Sequence, residues 1–131
     1  MHIINPVTQE SIRQAIEEWV NLLVEEKYTE ASAYIVHEEG TVWPPEMLKE
    51  IITDYSSRAQ VNNPKVTDPA TASGGPQPRH DIKMSSFNPK YVGEAWWDIP
   101  ISGSWSDLTA TFLVKEHEKG ATLVLEDFRV M

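Results

Sequence analysis

The residues best equipped for acid–base chemistry in this chain are carboxylates of its C-terminal half. Asp107 follows the turn-like run Gly103-Ser104-Trp105-Ser106, Asp127 stands where a strand pattern breaks, and Glu94 and Asp98 share a strand parity with Trp96. Two carboxylates can divide the roles of general acid and general base when their surroundings push their pKa values apart. Structural work suits the same residues. A carboxylate beside a turn accepts from backbone N–H groups, and one at a bulge satisfies the donors that the bulge frees. Asp107 and Asp127 are therefore expected as structural or pocket-lining residues, and none of the four is expected to be catalytic.

Other reactive types are sparse. The four histidines, His2, His37, His80 and His117, stand at no metal-ligand spacing from one another and are expected to be solvent-exposed. There is no cysteine, hence no disulfide and no thiolate nucleophile. No serine-nucleophile elbow occurs, and Gly74-Gly75 is followed by neither a lysine nor a helix pattern, so no phosphate cradle is expected. The sequence predicts no metal, no cofactor and a non-enzymatic protein.

Charge carries more information. Residues 1–55 hold eleven acids against three bases, whereas residues 56–131 hold nine acids against eight bases. The net charge of −9 thus belongs almost entirely to the first half. Such a field repels nucleic acid and anionic membrane and draws basic partners. Glu17, Glu18, Glu25, Glu26, Glu38 and Glu39 are the acidic residues expected to meet a basic protein. Of the five tryptophans, Trp19 and Trp97 fall on apolar faces and Trp43 resembles a staple at a helix start. Trp96 and Trp105, with Asp98 beside Trp96, are placed away from the core, where exposed tryptophan often anchors an interface.

The elements that must position these residues follow from periodicity. Ile12, Ala15, Ile16, Trp19, Val20, Leu22 and Leu23 recur at helical spacing, with Thr8 as N-cap. A short helix is expected over 29–36 and stops at Gly40; a third begins at Pro44-Pro45 and buries Met47, Leu48, Ile51, Ile52 and Tyr55. Residues 56–80 lack periodicity, hold four prolines and are expected to be a flexible loop. From Asp81 the period becomes two. Ile82 and Met84 alternate first. Tyr91, Gly93, Ala95, Trp97, Ile99 and Ile101 then form the core face of a long strand, and Leu108, Ala110, Phe112 and Val114 that of the next. Lys119-Gly120 makes a hairpin turn. In the last strand Leu123 and Leu125 have one parity and Phe128 and Val130 the other, which predicts a bulge near Glu126-Asp127. The expected fold is α+β: one domain over residues 1–131, with three N-terminal helices (1–55), the loop (56–80) and a four-stranded antiparallel meander (81–131). No apolar run approaches the roughly 20 residues of a membrane span, and no signal-peptide pattern opens the chain, so the cytoplasm is the expected location.

The C-terminal third also resembles something known. Trp97-Asp98-Ile99-Pro100, then Gly103-Ser104-Trp105-Ser106-Asp107-Leu108-Thr109, then Leu125-Glu126-Asp127-Phe128-Arg129-Val130-Met131 are similar to an uncharacterised bacterial domain family. That family shows a Gly-x-x-Ser-Asp-Leu-Thr strand start and an Asp-Ile-His-Val-Leu-like ending. The third helix, with Pro45-Glu46 at its start and Asp54-Tyr55 near its end, is similar as well. Phe128-Arg129 stands where the family favours Ile-His, and the resemblance brings no assigned activity. The chain also looks like toxin-immunity proteins, and its element order is similar to the NTF2-like group, whose curved sheet implies a pocket beneath the helices. Two expectations follow: an immunity-type inhibitor of a basic bacterial toxin, or a small-molecule binder or small enzyme with a pocket lined by Asp107, Asp127 or Trp96. Either would be a monomer or a homodimer.

Overall fold

The structure is a computed structural model that describes residues 1–58 and 65–130; residues 59–64 of the expected loop, Pro64 among them, and the terminal Met131 of the resembling motif lie outside the described residues. Three helices, α1 (Gln9–Val24), α2 (Tyr28–Tyr34) and α3 (Pro45–Arg58), precede four strands, β1 (His80–Lys83), β2 (Tyr91–Ile101), β3 (Ser104–His117) and β4 (Gly120–Val130). The strands pair in chain order, each antiparallel to the next, so the fold is α+β with a four-stranded meander.

Helix α1 starts where its capping chemistry dictates. Thr8 is extended, its Oγ1 accepts from Ser11 N at 3.0 Å, and Ser11 Oγ accepts from Thr8 N at 2.8 Å. Two N–H groups that a helix start leaves unsatisfied are thereby paired reciprocally. The buried stripe is Ile12, Ala15, Ile16, Trp19, Val20 and Leu23, with Leu22 only half-buried. Trp19 is fully buried, meets Phe112 of β3 edge-on at 5.2 Å and donates its indole N–H to Ala31 O of α2 at 3.2 Å. One side chain therefore ties two helices to the sheet. Helix α3 buries Leu48 and Ile52, leaves Ile51 and Tyr55 half-buried and, contrary to expectation, exposes Met47.

Register shifts explain where parity reasoning fails. On β4 the partner of Thr111 is Asp127 and that of Phe112 is Leu125, so Glu126 is the extra residue of the expected bulge. The bulge lets Leu123, Leu125 and Phe128 all serve the helix side. On β2 one shift lies between Tyr91 and Gly93 and another between Asp98 and Pro100. The first turns Tyr91 out of the core face to which simple alternation assigns it. Asp98 itself stays in register with Thr109, and the two are buried side by side.

The outer edge of β4 is covered along its first part. Ile4 and Ala121 exchange backbone hydrogen bonds of 2.7 and 2.9 Å, and Val36 N donates to Leu123 O at 2.8 Å. An edge occupied in this way offers little backbone to a second chain. Residues 65–79 are likewise tied down rather than free. Thr67 N donates to Pro100 O, Ser102 N to Lys65 O, Ser73 N to Gly103 O and Trp105 N to Gly74 O, all within 3.2 Å. The segment runs along the tip of the β2–β3 hairpin, and at Gly75 a Cβ would collide with the Trp105 carbonyl. No described helix is long and apolar enough to cross a membrane.

Candidate functional site

The strand β1 begins with His80, whose Cα pairs with that of Trp97 in β2. Paired residues share a face, so the imidazole lies on the helix side of the sheet. It stacks on the Trp97 indole with centroids 4.2 Å apart and planes 7° apart, and Trp105 approaches it edge-on at 5.3 Å. The Arg13 guanidinium of α1 lies 5.4 Å from the Trp97 ring centroid. These aromatic residues form one wall of a cleft of about 420 Å³. Glu17 and Asn21 of α1 and Asp68, from the segment on the hairpin tip, complete its polar lining. Five separate stretches of chain build the site.

Its polar atoms are unevenly used. The His80 Nε2 lies 3.2 Å from the Asp98 carbonyl oxygen, which can only accept, so Nε2 carries the proton and Nδ1 is a bare acceptor. Burial lowers the imidazole pKa, outweighing the opposing pull of Asp98, and this favours the neutral ring. Among the described residues neither Nδ1 nor the Trp97 indole N–H has a partner, whereas every buried side-chain nitrogen and oxygen has one. Both atoms must therefore reach solvent, although Trp97 is only 3% exposed. The opening that His80 and Trp97 share is the cleft. Asp68 Oδ1 accepts from Ala70 N at 2.9 Å, which fixes its carboxylate at the cleft rim.

The residues expected to face a partner divide into several groups. Glu17, Glu18, Glu25, Glu26 and Glu39 are exposed. Glu18 accepts from the Tyr34 hydroxyl at 2.7 Å, and Glu25 pairs with Lys27 at 2.9 Å. Glu26 has a positive φ of 58°, a conformation that usually falls to glycine or asparagine at a helix C-terminus. Glu38 corrects the expectation. Its carboxylate turns back onto the sheet, takes Lys115 Nζ at 2.7 Å, the Tyr91 hydroxyl at 2.5 Å and Lys90 Nζ at 3.4 Å, and its side chain is 12% exposed. Burial opposes its ionisation, but these three donors outweigh it and hold the pKa at about 2.

Asp98 is a second correction. It is buried, not outward-facing: Oδ1 accepts from the Thr109 hydroxyl at 2.5 Å and Oδ2 from Arg79 N at 2.7 Å. Trp96 is half-buried, with the Arg79 and Lys83 cations 5.1 and 5.0 Å from its ring centroid. Trp105 is half-buried as part of the cleft wall. Asp107 accepts from the Tyr55 hydroxyl at 2.5 Å, while Asp127 accepts from Phe128 N at 2.9 Å within its bulge. Glu94 takes the Ser86 hydroxyl at 2.9 Å. The suspected carboxylate pairs are thus occupied by separate structural partners.

Two further expectations change. Trp43 is no mere staple, for its indole N–H donates to Leu125 O of β4 at 2.6 Å and its ring meets Phe128 edge-on. Of the histidines, His37 is exposed but its Nδ1 accepts from Trp43 N at 3.1 Å, and His80 is half-buried in the site. His80 and Trp97 are the residues that sequence reasoning left out of the site. A signal existed for His80: it shares the parity of Ile82 and so had to fall on the apolar face, where an ionisable ring is unusual. Among the described residues no group of three histidine or carboxylate side chains gathers as a metal site. Comparison with known protein families, with curated proteins and with solved structures finds no match to this chain.

Proposed function

We propose that this is a non-enzymatic binding protein whose acidic helical surface recognises a basic protein, in the manner of an immunity-type inhibitor that blocks a basic bacterial toxin. The observation that supports the reading is the state of the helical carboxylates. Glu17, Glu26, Glu30, Glu39, Glu46, Glu50 and Asp54 are exposed and form no salt bridge among the described residues. Charge left uncompensated on one side of a small domain steers a basic partner and raises its association rate. The test is affinity capture from the native host, followed by titration of the captured protein at low and high salt. A basic partner whose affinity falls at least tenfold with salt, and further on the triple change Glu17→Lys, Glu25→Lys, Glu26→Lys, supports it. Binding that ignores both salt and charge reversal sinks it.

A second reading is favoured by the cleft: a small-molecule binder of the NTF2-like kind, with its ligand between α1 and the bent sheet. A volume of about 420 Å³ lies within the usual range of ligand sites, and the lining combines aromatic walls with a few polar groups. A fragment screen read by tryptophan fluorescence tests it. Hits whose binding is lost on His80→Leu support it, and a screen without cleft-directed hits refutes it.

A further inference from the structure

We propose that the cleft takes a compact cationic ligand made of an aromatic ring, a positively charged amine and a hydroxyl or amide group. This deepens the second reading above and rests on it. Three observations specify the chemistry independently.

The first is the aromatic wall. His80 covers one face of Trp97, and the Arg13 guanidinium also lies over that ring, so Trp97 offers the ligand chiefly its edge. Trp105 meets His80 edge-on and is only half-buried, which leaves ring surface towards the opening. A flat ring can stack there, and such contacts favour aromatic over aliphatic ligands.

The second is the pair of unused polar atoms. The Trp97 indole N–H is a donor and His80 Nδ1 an acceptor, on rings stacked 4.2 Å apart. Trp97 is otherwise almost fully buried, so its N–H is a fixed donor with no partner among the described residues. A group that both accepts and donates, such as a phenol or alcohol hydroxyl or an amide, satisfies both atoms at once. A ligand without such a group would desolvate them without replacement, at a cost in affinity.

The third is the sign of charge. Glu17 and Asp68 line the opening, His80 is kept neutral, and Arg13, the cation over Trp97, pairs with Glu10 at 3.8 Å. The polar side of the cleft is thus anionic, and an ammonium fits it where a carboxylate does not. The same chemistry could arrive as a free amine or as a basic aromatic segment of a protein partner.

Three matched probes separate the contributions by calorimetry at pH 7.5: tyramine, the neutral 4-ethylphenol and the anionic 4-hydroxyphenylacetate. The expected order is tyramine tightest, 4-ethylphenol at least tenfold weaker and the acid weakest. Glu17→Gln should shrink the tyramine preference over 4-ethylphenol to below threefold. His80→Phe, which keeps the stack on Trp97 but removes the acceptor, should weaken both phenols by tenfold or more. Equal affinity for all three probes, or a tyramine preference untouched by Glu17→Gln, overturns the charge assignment while leaving the pocket reading in place. No binding of any probe overturns the ligand class. The pocket reading falls with it only if the fragment screen is empty too. Competition between tyramine and the captured basic protein would show that the partner's own side chains fill the cleft.

Discussion

Glu38 and Glu17 both belong to the acidic half, yet they sit in regions of opposite character. Around Glu38 the polar groups are paired: two lysines and a tyrosine converge on one carboxylate, and Trp43, a few residues on, spends its N–H on the β4 backbone. Around Glu17 the polar groups are held in place but left open. His80 is oriented by Asp98 O and Asp68 by Ala70 N, while Nδ1 and the Trp97 N–H have no partner among the described residues. A region with saturated hydrogen bonding secures the fold. A region with rigid but unsatisfied groups is equipped to bind.

Substitutions should separate the two regions, beginning with the saturated one. Trp43→Ala removes a buried ring together with a hydrogen bond of 2.6 Å to Leu125 O, and is expected to cost about 3–5 kcal/mol in urea unfolding. A cost below about 1 kcal/mol would mean that the α2–α3 connection does not hold the sheet.

Next in size is Glu38→Gln. Stripping the charge from a carboxylate with three donors should cost about 1–3 kcal/mol at pH 7. Its pKa in the fold is about 2, below the ordinary 4.5, so the unfolded chain binds the proton more readily. The stabilisation is therefore complete above about pH 4.5 and is lost as pH falls towards 2. Wild type and variant should converge in that window, and parallel pH–stability curves would refute the ion-pair assignment.

On the cleft side His80→Phe is expected to cost only about 1 kcal/mol, since the stack on Trp97 survives and one hydrogen bond is lost. Here too the native pKa is lowered, from 6.5. The neutral ring, facing Asp98, Arg13 and Glu17, contributes fully above pH 6.5, and that contribution fades as pH falls towards the native value. The variant should lack this component. An NMR titration that placed the His80 pKa above 6.5 would contradict it.

The smallest effect belongs to Glu17→Gln: within about 0.5 kcal/mol of wild-type stability, because the side chain is exposed and forms no salt bridge among the described residues. A larger loss would make Glu17 structural and erase the contrast with Glu38.

Much of this architecture was legible in the residues, because it depends on neighbours close in sequence. The cap at Thr8, the stripe from Ile12 to Leu23, the alternation of β2 and β3 and the extra residue at Glu126 are local matters of period and turn chemistry. So is the concentration of net negative charge in the first half, which is a property of composition. The fates of individual polar groups were not legible. Glu38 meets Tyr91 and Lys115 across 53 and 77 residues of chain, and Asp98, on the face that alternation turns outwards, is buried with hydrogen bonds from Thr109 and Arg79 N. The cleft brings Glu17, Asp68, His80 and Trp105 together from α1, the tethered loop and two strands. Sequence period decides which face of an element is apolar. Only tertiary packing decides which polar atoms on that face find a partner, because both burial and hydrogen bonding depend on residues far away along the chain.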